Sequence, residues 1–193
     1  MNPNRSNLII FTGLPGTGKT TLSRKVAEAL GIPLIAKDDI KEILYDRIGW
    51  SDEAFSAKLS HATFGIMDYV IEQHLKTGRS LVLEGNYLPK LVNERFQRWQ
   101  KEYGCAVTQI VCRTDIDVLA HRYYARAKGI NRHPGHLDNM DTPEKYKQDF
   151  LRRIENGEDQ PLAVEGPVKV VNTTDISTVD AEEIVRWLEA DLQ

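Results

Sequence analysis

Cysteine is scarce in this chain of 193 residues, which carries only Cys105 and Cys112. One pair makes no disulfide framework, and its spacing fits no common zinc pattern. Two inert thiols in or beside a strand are expected. Long apolar runs are missing as well. Leu8-Ile9-Ile10-Phe11 is too short for the hydrophobic region of a secretory leader, and nothing approaches a membrane span. A soluble cytoplasmic protein with no membrane partner is the expectation. A basic excess is also lacking: 25 Lys and Arg face 28 Asp and Glu, a net charge of −3. That argues against a general binder of nucleic acid or anionic lipid, though not against a small, locally basic site. With 41% hydrophobic and 27% charged residues the composition is ordinary, which excludes disordered and low-complexity readings. The length suits one domain, 1–193, that buries a core without staples.

What is present is an alternation of strand and helix. Strands are expected at 8–12, 33–36, 80–84, 106–112 and 168–172. Helices are expected at 19–30, 39–48, 52–77, 89–103, 115–128, 142–155 and 179–192, with the fourth of these opened by Pro89. Ser51 is the expected cap of the 52–77 segment, which reads as one long helix or two in succession. This order implies an α/β fold with a parallel sheet covered on both faces. Residues 50–78 read as a helical insertion, and about 115–141 as a lid.

Gly13-Leu14-Pro15-Gly16-Thr17-Gly18-Lys19-Thr20 matches G-x-x-x-x-G-K-[ST] between a strand and a helix. Such a loop turns backbone N–H groups onto phosphate oxygens, helped by the helix N-terminus. Thr21 completes the set of expected phosphate contacts. Lys19 should reach the β- and γ-phosphates, and the Thr20 hydroxyl should hold Mg²⁺. The signature Asn-Lys-x-Asp of guanine binding does not follow the fourth or fifth strand, which favours ATP over GTP.

Lys37-Asp38-Asp39-Ile40-Lys41 lies where the second strand should end, which is where ligands sit in parallel sheets. A carboxylate there can orient an acceptor hydroxyl and take its proton, and a cation one turn on can hold the acceptor. Asp38 and Lys41 have that spacing. Either Asp38 or Asp39 can serve as base, the other as helix cap. Glu84 closes the third strand and is placed to hold Mg²⁺, directly or through water. Asn86 follows within reach of substrate.

Gly13–Thr20 followed by Asp38-x-x-Lys41 resembles the P-loop small-molecule kinases, a group with gluconate kinase, zeta toxin, chloramphenicol phosphotransferase and the polynucleotide 5′-hydroxyl kinases. The resemblance implies a three-layer P-loop sandwich with a five-stranded parallel sheet in order 2-3-1-4-5 and a helical lid. It implies ATP and Mg²⁺ as cofactors and transfer of the γ-phosphoryl group to a hydroxyl of a small molecule. The group carries Asp-x-x-Arg at this point. Lys41 keeps the charge and loses the two-pronged contact. Lid arginines of the group match Arg122 and Arg126, one turn apart, and Arg132-His133-Pro134-Gly135-His136 looks like its lid tip. Lys19, Asp38, Arg122 and Arg126 are thus the expected catalytic set. Arg132, Arg113, Asn172 and Thr173 are expected on the nucleotide, the last two in a turn against adenine.

Residues 113–136 hold five Lys and Arg against two Asp, a local +3, so the rest of the chain is −6. Two other functions stay open. A polynucleotide or nucleoside 5′-hydroxyl kinase would share this core, although 50–78 mixes Lys58 and Lys76 with four acids and makes no phosphate track. An ATP-hydrolysing switch would need no acceptor.

Overall fold

The computed structural model describes residues 6–130 and 132–191. Five strands, β1 (Asn7–Thr12), β2 (Leu34–Ala36), β3 (Leu81–Glu84), β4 (Ala106–Arg113) and β5 (Val168–Asn172), form one parallel sheet. Their order is β2-β3-β1-β4-β5, as the resemblance implies. Every residue of β1 is buried, so its side chains alternate into two cores rather than between core and water. Leu8 and Ile10 join Met67, Ile71, Phe96 and Trp99 on one face. Ile9 and Phe11 join Leu22, Val26, Ile184 and Leu188 on the other.

The helices are α1 (Lys19–Leu30), α2 (Lys37–Ile48), α3 (Glu53–Lys76), α4 (Pro89–Tyr103), α5 (Ile116–Ala127), α6 (Pro143–Glu155) and α7 (Ala181–Asp191). The expected closing helix reaches Leu192, which lies outside the described residues, as does Asn131 of the lid. α3 is one continuous helix, capped by Asp52 rather than Ser51: the Asp52 carboxylate accepts the Phe55 N–H at 2.8 Å. α2 starts two residues earlier than expected. Its N-cap is Ala36 in extended conformation with no side-chain cap, so Lys37, Asp38 and Asp39 all lie in the first turn and neither aspartate caps. Among the described residues no helix is long and apolar enough to cross a membrane.

A third apolar cluster matters most for the site. Leu14 of the phosphate loop packs with Leu119 and Tyr123 of α5 and with Tyr146 and Phe150 of α6. The α5–α6 unit is thereby seated on the loop, at the carboxyl end of the sheet where Ala36, Glu84 and Arg113 also emerge.

Candidate active site

The loop from Gly13 to Thr20 wraps the N-terminus of α1. The Thr17 hydroxyl donates to Leu14 O at 2.8 Å and pins the turn from within. Gly13 has φ 134°, and a Cβ there would lie 2.4 Å from the carbonyl oxygen of Cys112, so the backbones of the loop and β4 touch. Lys19 is 9% exposed, and its Nζ stands 3.5 Å from Oε1 of Glu84, itself 2% exposed. Lys19, Thr20, Lys37, Asp38, Glu84 and Asn86 line a cavity of about 180 Å³. Arg126, Arg132, His136 and Asp138 close it from the lid side.

Asp38 is the acid that faces this cavity. Burial alone would raise its pKa. Lys37 (Nζ at 3.1 Å), His136 and Lys19 more than reverse that and hold the carboxyl well below the usual range. Arg132 approaches it at 3.6 Å. Asp39 instead points outward to an exposed pair with Arg24 at 2.7 Å. The Oδ1 atom of Asn86 is buried without a hydrogen-bond partner, a condition that costs about 1–3 kcal/mol unless something donates to it. Thr20 and Glu84 place a hydroxyl and a carboxylate in the same cavity, a donor set that suits Mg²⁺ completed by phosphate oxygens and water. Among the described residues no cluster of three or more His, Cys, Asp and Glu could hold a metal by itself.

The lid folds back over α2. The Nε atom of Arg132 donates to Asp138 at 2.5 Å, and Tyr123 OH donates to the same carboxylate at 2.7 Å. The guanidinium of Arg126 rests 4.7 Å from the Tyr123 ring centre. His133 Nδ1 accepts the Gly135 N–H, so Nε2 carries the hydrogen directed at Asp46, 3.2 Å away. His136 Nε2 lies 2.7 Å from Glu42. Between these two contacts Tyr45 stacks on His133 at 5.0 Å and meets His136 edge-on at 5.4 Å.

Gly135 sits so close that an added Cβ would lie 2.8 Å from the Tyr45 ring. The ring is buried and its hydroxyl is tied to Ser56 at 2.8 Å, so it has little room to give. Gly135→Ala is expected to destabilise the lid-closed fold by about 1–3 kcal/mol. Thermal unfolding of the two proteins measures it.

Burial first, then Arg132, hold the His136 imidazole below its ordinary value against the pull of Asp38 and Glu42. The lid docked on α2 therefore binds fewer protons than one whose imidazole is released to solvent, where the ordinary value is 6.5. Closure is at full strength above that pH and is lost progressively as the pH falls below it. Limited proteolysis of the 129–141 loop between about pH 5 and 8 should show cleavage rising in acid, with a flat profile in His136→Gln.

Several residues singled out in the sequence are not brought into the cavity. Arg122 is spent on backbone carbonyls, donating to Thr173 O at 3.1 Å, Thr174 O at 2.9 Å and Gly16 O at 3.4 Å. Lys41 is buried outside this cavity and turns to the Ser56 hydroxyl at 3.0 Å; burial holds its pKa down despite nearby Asp38. Arg113 faces Asp159 at 3.6 Å. The Thr173 side chain is fully buried, its hydroxyl donating to Arg113 O, while Asn172 Oδ1 accepts the Thr174 N–H. Thr21 is exposed on α1. The structure adds Lys37, Tyr123, Asp138 and Arg153 to the cavity wall. None of these four belongs to a contiguous motif. The nearest signal is the Arg152-Arg153 pair in a helix directly after the lid.

Comparison with known proteins now bears on this geometry. Residues 8–155 match the family described as AAA domain, a span that covers the phosphate loop, the sheet up to β4, the lid and α6. The chain belongs to this family. Among solved structures it is similar to a candidate kinase from Chloroflexus aurantiacus, 35% identical, with a TM-score of 0.87 over 98% of this chain and 100% of that one. Shikimate kinase from Bacteroides thetaiotaomicron (17% identical, TM-score 0.56, 96% and 97% covered) and a gluconokinase from Sinorhizobium meliloti (18%, 0.51, 100% and 93%) share the fold. An uncharacterised Mycobacterium tuberculosis protein is 28% identical over 131 residues, 63% of this chain. The chain spans about a quarter (26%) of the length of the curated relatives it matches. As a member of the AAA domain family with the fold of P-loop kinases, the protein has a nucleotide-binding architecture. Consecutive Asp-Glu at the third strand, usual in ring-forming ATPases, is replaced here by Glu84-Gly85.

Proposed function

We propose that this protein is an ATP-dependent phosphotransferase that moves the γ-phosphoryl group to a hydroxyl of a small-molecule acceptor. The observation that carries the reading is the convergence of Lys19, Asp38, Glu84, Arg126 and Arg132 on one cavity sized for the transferring group. The phosphate loop holds the β- and γ-phosphates, and Thr20 and Glu84 would hold Mg²⁺, which would supply charge neutralisation. Arg126 and Arg132 lie over the γ-phosphoryl oxygens as charge spreads onto them and exclude water. Asn86 Oδ1 accepts a hydrogen bond from the acceptor.

The acceptor oxygen attacks the γ-phosphorus in line, the bond to the β–γ bridging oxygen breaks, and ADP leaves with that electron pair. Asp38 orients the hydroxyl throughout and receives its proton. A carboxylate held this far down is a weak base. That suits a loose transition state, in which the hydroxyl sheds its proton late. Arg122 braces the phosphate loop against the turn after β5 and so shapes the base-binding end through Thr173 and Thr174. Arg113 and Asn172 stay at its edge.

The family description favours a second reading, an ATP-hydrolysing switch. An acceptor screen separates the two. Under the kinase reading some small hydroxyl compound raises ATP consumption far above slow hydrolysis and returns phosphorylated. Fast hydrolysis without acceptor, surviving in Asp38→Asn, supports the switch. A labelled 5′-hydroxyl oligonucleotide as the sole responsive acceptor identifies a polynucleotide kinase.

A further inference from the structure

A second, larger cavity of about 490 Å³ adjoins the transfer site. It lies between the first turns of α3, the lid segment 136–140 and α6, and it shares Pro15, Tyr123, His136, Asp138 and Arg153 with the smaller one. The turn at Thr173–Thr174, expected against the base, contributes nothing to its wall. Of the helical insertion expected at 50–78, only the first turns of α3 take part.

Its charges are already matched. Arg153 Nε is bonded to Asp149 at 2.6 Å, and Arg152 pairs with the same carboxylate. His136 is bonded to Glu42. With Arg132, whose Nε is bonded to Asp138, three arginines thus face three carboxylates, Glu53, Asp138 and Asp149, a formal balance of zero with His136 neutral. A carboxylate or phosphate entering here would compete with an existing carboxylate partner for each of these guanidinium groups. The rest of the lining offers Ser60 and Asn139 as hydrogen-bonding groups, and Met140 and Phe150 as apolar wall. Leu137, at the lid edge of the chamber, has φ 56°, and among the described residues no other non-glycine has positive φ, a strain that marks built sites.

From this geometry, resting on the kinase reading above, we infer that the α3–lid–α6 cavity is the acceptor chamber and that it takes an organic alcohol bearing no carboxylate or phosphate. The hydroxyl to be phosphorylated reaches Asp38 through the shared wall at His136 and Asp138. The fold neighbours do not point this way: gluconate and shikimate, which two of them are named for, are both carboxylates.

The test reads binding without turnover, so it is independent of whether phosphoryl transfer occurs. The protein is labelled with methyl-¹³C methionine and saturated with a non-hydrolysable ATP analogue. Met140 reports on the chamber, and fully buried Met67 is the reference. Glucose, gluconate and glucose 6-phosphate are titrated, as are glycerol, glycerate and glycerol phosphate. The expected result is a shift of Met140 and not Met67 with a neutral member of a set, at least about tenfold tighter than its charged partners. Ser60→Trp, which fills the chamber, should abolish that shift. An anionic member binding as tightly as its neutral partner overturns the charge assignment. A Met140 signal that responds to none of the six overturns the chamber. The kinase reading fails separately, on absence of any phosphorylated product in the acceptor screen.

Discussion

Asp38→Asn should lower phosphorylation of a responsive acceptor by about 10²–10⁴-fold while leaving nucleotide affinity within a few-fold of the parent. The carboxamide keeps the size of the side chain and one acceptor oxygen. It loses the charge that Lys37 and Arg132 contact, and it cannot receive the hydroxyl proton. The measurement is a pair: single-turnover transfer and equilibrium binding of an ATP analogue. Asp39→Asn is the matched control, since its partner is the exposed Arg24, and it should change transfer by less than about twofold. The parent also makes a prediction about pH. Because the Asp38 carboxyl is held down, its ionisation and the stability that follows from it are complete above the unfolded value of 3.8 and are lost only as the pH falls further through the folded one. No limb of the rate profile near neutrality should vanish in Asp38→Asn.

Gly13→Ala should abolish useful nucleotide binding, with a loss of at least about 10²-fold in affinity, or roughly 2.7 kcal/mol. Two effects add. The residue has φ 134°, and its Cβ would stand 2.4 Å from a carbonyl oxygen of β4, a backbone atom in the middle of the sheet that cannot step aside. The loop must therefore lift, and its N–H groups lose their common focus. Gly31→Ala separates the contributions, for Gly31 also has positive φ (63°) but has open space around its Cβ position. It should cost about 1–2 kcal/mol of stability and leave nucleotide affinity unchanged. Titration of a fluorescent ATP analogue, with thermal unfolding of both variants, makes the comparison.

The parts of this site that could be read in advance are those whose determinants are contiguous. The phosphate loop needs eight consecutive residues between a strand and a helix, and the chain has them in that order. Asp38 and Glu84 were legible because parallel strands deliver their last residues to one edge, whatever lies between them. The lid resisted for the opposite reason. Its docking contacts join residues 87 and 94 positions apart, His133 to Asp46 and His136 to Glu42. A histidine that ends on a carboxylate of another helix looks, in sequence, like any histidine near a basic run. Arg122 shows the complementary failure. Its place in the lid helix matched that of an arginine acting on phosphate, but three backbone carbonyls compete for its guanidinium, and those are invisible until the turn after β5 is folded against it. The boundary of α2 is not legible in the sequence because an aspartate in a first turn and an aspartate at a cap favour the same helix end.

α2 is a single mechanical piece. Twelve residues make a rod of roughly 18 Å. Asp38, the proposed proton acceptor, stands in its first turn, and the lid rests on the next two through Glu42, Tyr45 and Asp46. A rigid rod transmits tilt along its length. Whatever seats the lid therefore also aims the carboxylate, and an unseated lid leaves it misaimed. In the proposed reaction, premature attack by water on bound ATP would thus be restrained by the same piece of helix that aligns the hydroxyl. Under the kinase reading, hydrolysis of ATP in the absence of acceptor would report how firmly two imidazoles sit on a helix more than a turn away from the chemistry.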